Sequence, residues 1–262
     1  MGMFFDNWEM KEFLSRFKFK RNKSGFIGVE RECFLVFPDG NLAPKSEEFL
    51  LSLDDKRWTY ELSACQVESR TKPHKDLSSL KLELLENDNA GQNNAKKLGL
   101  VLIHQEIGDE NMPLNVYPDS RYIKIVETIS RDRLVSACRV AGTHLHIGVK
   151  NIRRAIEIYN LLVAHLNKLC DLGDHSNGER LRLYKTMAIN WNPVVYDNEK
   201  HFFEIAKKQG FVDNPRNCWH LIRISIHGTV ELRMFGATDK IDEIIYWTSF
   251  VKSLINASGI SI

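Results

Sequence analysis

Polar side chains recur at every second position inside stretches of this chain that otherwise read as β-strands. Residues 28–36, Gly-Val-Glu-Arg-Glu-Cys-Phe-Leu-Val, are bounded by Gly25 and by the turn Pro38-Asp39-Gly40, and read as a strand. Glu30 and Glu32 fall at i and i+2 within it, on one face and about 7 Å apart. A return strand is expected near 41–44; residues 46–54 give no pattern. Residues 58–71 read as a strand or strand pair carrying Glu61 and Glu68, 100–103 as a short buried strand, and 141–149 as a strand with His144 and His146 on one face. The last pair lies near 219–235 around a turn at His227-Gly228, with Arg223, Glu231 and Arg233 on it.

Helical spacing separates these strands. It predicts amphipathic helices at 6–20 (Trp8, Phe13, Leu14 and Phe17 inward), 152–170 and 240–256, and further helices at 121–131 and 199–209. A long helix starts behind Pro73 with Asp76 as N-cap, carries Leu77, Leu80, Leu84 and Leu85, weakens around Gly91, and ends at Gly99. Residues 171–180 read as a polar loop, leading past Arg182 to a Pro-containing linker at 191–197. Strands separated by helices would suggest a parallel sheet, whose strands are apolar on both faces. The alternation here predicts α+β instead: an antiparallel sheet with one face on helices and the other wet and charged. No repeat or linker divides residues 1–262, so one domain is expected.

Composition adds exclusions. Net charge is +2, from 36 basic and 34 acidic residues, which leaves no electrostatic footprint for nucleic acid or an anionic membrane. Cys33, Cys65, Cys138, Cys170 and Cys218 are widely spaced without a Cys-x-x-Cys, as for reduced thiols in a cytoplasmic protein. Asp6, Glu9 and Glu12 do not suit a signal peptide, and no apolar run is long enough to span a bilayer.

The polar strand residues are the candidate chemistry. Glu30, Glu32, Glu61, Glu68, His144 and Glu231, with no thiolate among them, make an oxygen-rich set suited to Mg²⁺ or Mn²⁺. His-x-His alone would suit zinc, but the surplus of carboxylates and the lack of a third histidine on that strand argue against it. Arg223 and Arg233 add the fixed forks that neutralise phosphoryl oxygens. Each residue also has a bland reading: Glu61 as a surface carboxylate, His146 as a satisfied core imidazole, Arg233 as a salt-bridge partner of Glu231. Their recurrence on one face of four strands favours a site.

Four motifs in order, Gly28–Glu32, Gln66–Glu68, Gly142–Gly148 and Gly228–Arg233, resemble the glutamate–cysteine ligase type 2, or carboxylate–amine ligase, family of the glutamine synthetase superfamily. The resemblance covers roughly residues 25–240. It implies a curved antiparallel sheet forming a funnel with helices outside. The implied reaction joins a small acid, glutamate or similar, to an amine: ATP phosphorylates the carboxylate to an acyl phosphate, which the amine attacks. Carried over by motif, Glu32, Glu61 and Glu68 would hold one Mg²⁺, and Glu30, His144 and Glu231 another. His146 and Arg233 would lie at the nucleotide phosphates, with Arg233 and Arg223 stabilising the transferred group. Arg180 and Arg182, behind a loop at 174–178 that is trimmed relative to the family, are candidates for holding substrate. A homo-oligomer is compatible with the family. The residues also admit phosphoryl transfer without amide formation, a catalytically degenerate nucleotide- or metal-binding protein of the same fold, and a metal-dependent hydrolase built on His144 and His146.

Overall fold

A computed structural model describes residues 2–260. The sheet is built around β1 (Ile27–Val36), which is long enough to serve three neighbours. Its first half pairs with β5 (Gly142–Gly148), its middle with β3 (Gln66–Arg70), and its last three residues with β4 (Val101–Ile103). β2 (Trp58–Tyr60) extends the sheet beyond β3; β7 (Thr229–Gly236) and β6 (Ile222–Ser225) extend it beyond β5. The order β2-β3-β1-β5-β7-β6 is antiparallel at every pairing, and the end strands do not meet. This is the α+β architecture that the alternation predicts.

One face of the sheet is apolar because its every second residue is. Val29, Leu145, Ile147, Val230, Leu232 and Ile224 merge with side chains of α1 (Gly2–Ser15), α6 (Ile152–Val163), α9 (Glu199–Lys208) and α10 (Ile241–Ala257) into the main core. Phe235 stacks on Trp247 of α10 with ring centroids 4.9 Å apart. The long helix is α3 (Leu77–Lys97), capped as expected: Ser79 N donates to Asp76 Oδ1 at 2.7 Å, and Gly99 follows it with positive φ. Gly91 leaves α3 unbroken. It is there for close approach, since a Cβ would lie 2.5 Å from the Trp58 ring.

Several elements depart from expectation. Trp8 is 64% exposed; it lies five residues, or about 140° around a helix, from the buried Phe13. Residues 41–44 form only a bridge, Leu42 to Val36, and 46–54 hold α2 (Ser46–Leu53). The helix expected at 121–131 is α4 (Ser120–Thr128), and an unexpected helix, α5 (Arg131–Arg139), follows it. The helix expected over 152–170 breaks after α6, and α7 (Leu166–Leu172) restarts it, because His165 Nδ1 bonds the Leu161 carbonyl at 2.9 Å in place of a backbone amide. The end of the polar loop and the stretch between it and the linker form α8 (Glu179–Met187). All five cysteines are unpaired, and no helix among the described residues is long and apolar enough to cross a membrane.

His220 gives the fold a pH dependence. It is fully buried, with Nε2 2.6 Å from Gln209 Oε1 and Nδ1 3.5 Å from the Tyr196 hydroxyl. Burial, reinforced by Arg223, pushes its pKa down to about 4. The folded state therefore favours the neutral ring, and the stability this gives is complete above the ordinary value of 6.5 and lost as pH falls towards 4. The loss between pH 7 and pH 5 is expected to be about 2 kcal/mol, seen as a lower urea midpoint. His220→Gln should be less pH-sensitive by that amount; an unchanged pH dependence would refute the assignment.

Candidate cation-binding cleft

The opposite face of the sheet is charged and lines a cleft of about 510 Å³. Cross-strand register decides which side chains meet there. Glu32 lies opposite Glu68 on β3, Glu30 opposite His144 on β5, and His146 opposite Glu231 on β7, which in turn faces Arg223 on β6. Glu61, just beyond β2, joins the β3 end. α4 supplies a further wall with Arg121, Tyr122 and Ile125.

Three sets of donor atoms lie within 4.8 Å of one another: Glu32, Glu61 and Glu68; Glu30, Glu68 and His144; Glu30, His146 and Glu231. The first is the trio the family resemblance implies. The second implied trio, Glu30 with His144 and Glu231, is not gathered; His146 takes the place beside Glu231. The reason is the pairing of β5 with β7: His146 stands opposite Glu231, while Arg233 and Met234, at a register shift between Thr143 and Leu145, stand opposite His144. His144 is thereby left over β1, with Nδ1 3.6 Å from Glu30 Oε2 and Nε2 3.5 Å from Glu32 Oε1. His146 Nδ1 bonds Thr229 Oγ1 at 2.9 Å, and its Nε2 lies 3.2 Å from Glu30 Oε2.

Charge is divided unevenly across the cleft. Burial raises the pKa of Glu68 well above the usual range, and Glu30, Glu61 and Glu32 push the same way. Glu32 and Glu61 are also raised, burial being the main cause. On the other side burial opposes ionisation of Glu30, but His146 and His144 outweigh it and hold its carboxyl well below the usual range. Glu231 has no exposed surface, yet Arg223, His146 and Arg233 overcome its burial and keep it ionised. Arg223 Nε donates to Glu231 Oε2 at 2.7 Å, Arg233 Nη1 to Oε1 at 2.5 Å, and Arg233 Nε to the Tyr184 hydroxyl at 3.1 Å.

These residues fit a hard divalent cation. His144 Nδ1 and His146 Nε2 are buried without a hydrogen bond although both face Glu30 Oε2. Each set holds at most one imidazole among carboxylates, as suits Mg²⁺ or Mn²⁺ better than zinc. Clustered carboxylates of raised pKa are the charge pattern a cation relieves.

No protein-family model matches the chain. A protein of Frankia alni named putative glutamate–cysteine ligase 2-3 is 24% identical over 248 residues, covering 87% of this chain and 28% of its own length. The glutamate–cysteine ligase of Natronomonas pharaonis is 21% identical over 255 residues, covering 89% of this chain and 70% of its own length. The chain resembles the glutamate–cysteine ligases. A bifunctional glutathione synthetase from Pasteurella multocida shares the fold, with a TM-score of 0.59 at 11% identity over 94% of this chain and 39% of that one. The chain thus spans well under half of two of these three proteins, and most of the Natronomonas one.

Of the two arginines expected to hold substrate, Arg180 lines the cleft but has its guanidinium turned to the main chain, and Arg182 is not part of the lining. Arg180 is buried against main-chain carbonyls, and Arg182 is exposed beside Glu179. Sequence reading passed over Tyr184, which holds Arg233 from α8, and Thr229, which orients His146. Their only signal is position: Thr229 lies two residues before Glu231 on the same strand face.

Proposed function

We propose that this chain is an ATP- and Mg²⁺-dependent carboxylate–amine ligase, with residues 1–262 as one catalytic domain. It joins a small acid, glutamate or a similar amino acid, to an amine through an acyl phosphate. The observation that carries this reading is the convergence of the three donor sets on Glu30 and Glu68, with Glu231 binding two arginines in the same cleft. Glu32, Glu61 and Glu68 would hold one cation and Glu30, His146 and Glu231 another, with His144 between them beside Glu30 and Glu68. A Mg²⁺ or Mn²⁺ held by these carboxylates would supply positive charge to screen the nucleotide phosphates from an incoming carboxylate. Glu231 fixes both Arg223 and Arg233, so their forks are pre-set for the transferred phosphoryl oxygens without reorganisation. Thr229 fixes the His146 ring and thereby the atom it turns to Glu30. The names of the curated relatives agree with this chemistry.

Calorimetry with ATP and ADP, with and without Mg²⁺, is the direct test. The expected result is nucleotide binding that needs the cation, followed by ADP release only in the presence of the right acid. Nucleotide-independent hydrolysis with Zn²⁺, and no ATP binding under any cation, would replace the ligase reading by a hydrolase.

A further inference from the structure

Arg180 is 97% buried, yet its guanidinium forms no hydrogen bond to a side chain among the described residues. Its guanidinium is spent on three carbonyls: Nε donates to Ala141 O at 2.7 Å, Nη1 to Met234 O at 2.9 Å, and Nη2 to Arg233 O at 3.2 Å. Two of these acceptors belong to the residues that bulge from β7 opposite His144. The third belongs to the peptide joining Ala141 to Gly142, and the other end of that same peptide is the Gly142 N–H, which donates to Glu32 Oε2 at 2.6 Å. A Cβ on residue 142 would lie 2.1 Å from Arg180 Nη2, so glycine is what lets the guanidinium reach this peptide.

We propose that Arg180 is a positioning residue for the cation site: by holding the Ala141–Gly142 peptide it aims the Gly142 amide at Glu32, and by capping the β7 bulge it keeps His144 in register between Glu30 and Glu32. One planar fork spans both strands, which a lysine ammonium cannot do. The amide occupies Glu32 Oε2, so Oε1, 3.5 Å from His144 Nε2, is the oxygen left to the cleft. A buried cation 39 residues from Ala141 and 54 from Met234 in sequence thus works on ligands it does not touch. The cation part of this inference rests on the ligase reading above; the peptide geometry does not.

The test is Arg180→Lys beside the wild type, with Mn²⁺ as the probe and hydrogen exchange of the segment around residues 141–146 as the second readout. The variant should keep its circular dichroism and the exchange protection of distant helices. It should lose protection at the Gly142 amide and bind Mn²⁺ about tenfold more weakly or worse. Wild-type exchange at Gly142 together with wild-type Mn²⁺ affinity would overturn the proposal. Loss of protection throughout the chain would overturn it too, making Arg180 a structural clamp only. If the wild type itself binds no Mn²⁺, the ligase reading fails, while the exchange comparison still decides whether Arg180 orients the Gly142 peptide.

Discussion

Glu30→Gln is expected to cut cation-dependent ADP release severely while leaving a folded protein. Glu30 is a member of two of the three donor sets and lies within 3.6 Å of both histidines of β5. Glutamine keeps the volume and one carbonyl oxygen but removes the anionic charge, so both sets lose part of their hold on a divalent ion. Activity should fall by roughly a hundredfold to a thousandfold, the usual result of removing one preorganised charge from a transition-state clamp. The cost in stability should be only about 1–2 kcal/mol. Losing the attraction of His146 and His144 destabilises, but losing the repulsion from Glu68 and Glu61 offsets it. ADP release with an acid and amine pair, together with a urea melt, would check both halves. Wild-type turnover in the variant would sink the cation assignment, whatever the melt shows.

Glu30 and its neighbours were legible because a strand has a period of two. A charged side chain or imidazole at every second place of a strand otherwise apolar shows at once which face it occupies, and β1, β5 and β7 each repeat that pattern. The apolar face was legible for the same reason, and with it the antiparallel sheet on helices. The histidine that meets Glu231 was not. That depends on a one-residue bulge in β7, stabilised by Arg180 from a helix that reads as loop because Glu179, Arg180, Arg182 and Lys185 crowd a short span. α5 escaped for a similar reason, with arginine at 131, 133 and 139 masking the turn that Ser130 caps. Periodicity reports the faces of elements. It carries no information about which main-chain carbonyls a distant guanidinium will find.

Glu231→Gln should differ from Glu30→Gln by striking the fold as hard as the chemistry. Glu231 has no exposed surface and accepts from Arg223 on one oxygen and Arg233 on the other, and both arginines are themselves largely buried. A neutral amide offers one acceptor and puts an NH₂ against the second guanidinium. Breaking a buried pair in this way strands the cation, at a typical cost of about 3–5 kcal/mol. For a chain of this size that is a fall in melting temperature of roughly 10 °C. Removing one stranded cation should return part of the loss, so Arg223→Met combined with Glu231→Gln is expected to melt above the single variant. The pH sign follows from the ionised state of Glu231. Its pKa is depressed on folding, so its contribution is complete above the ordinary value of 4.5 and shrinks as pH falls below it. Wild type and Glu231→Gln should therefore converge in stability in acid and stand furthest apart near neutrality. A variant that melts with the wild type at neutral pH would mean that Arg223 and Arg233 are solvated in the cleft rather than bound to Glu231, and their place in phosphoryl transfer would then have to be reassigned.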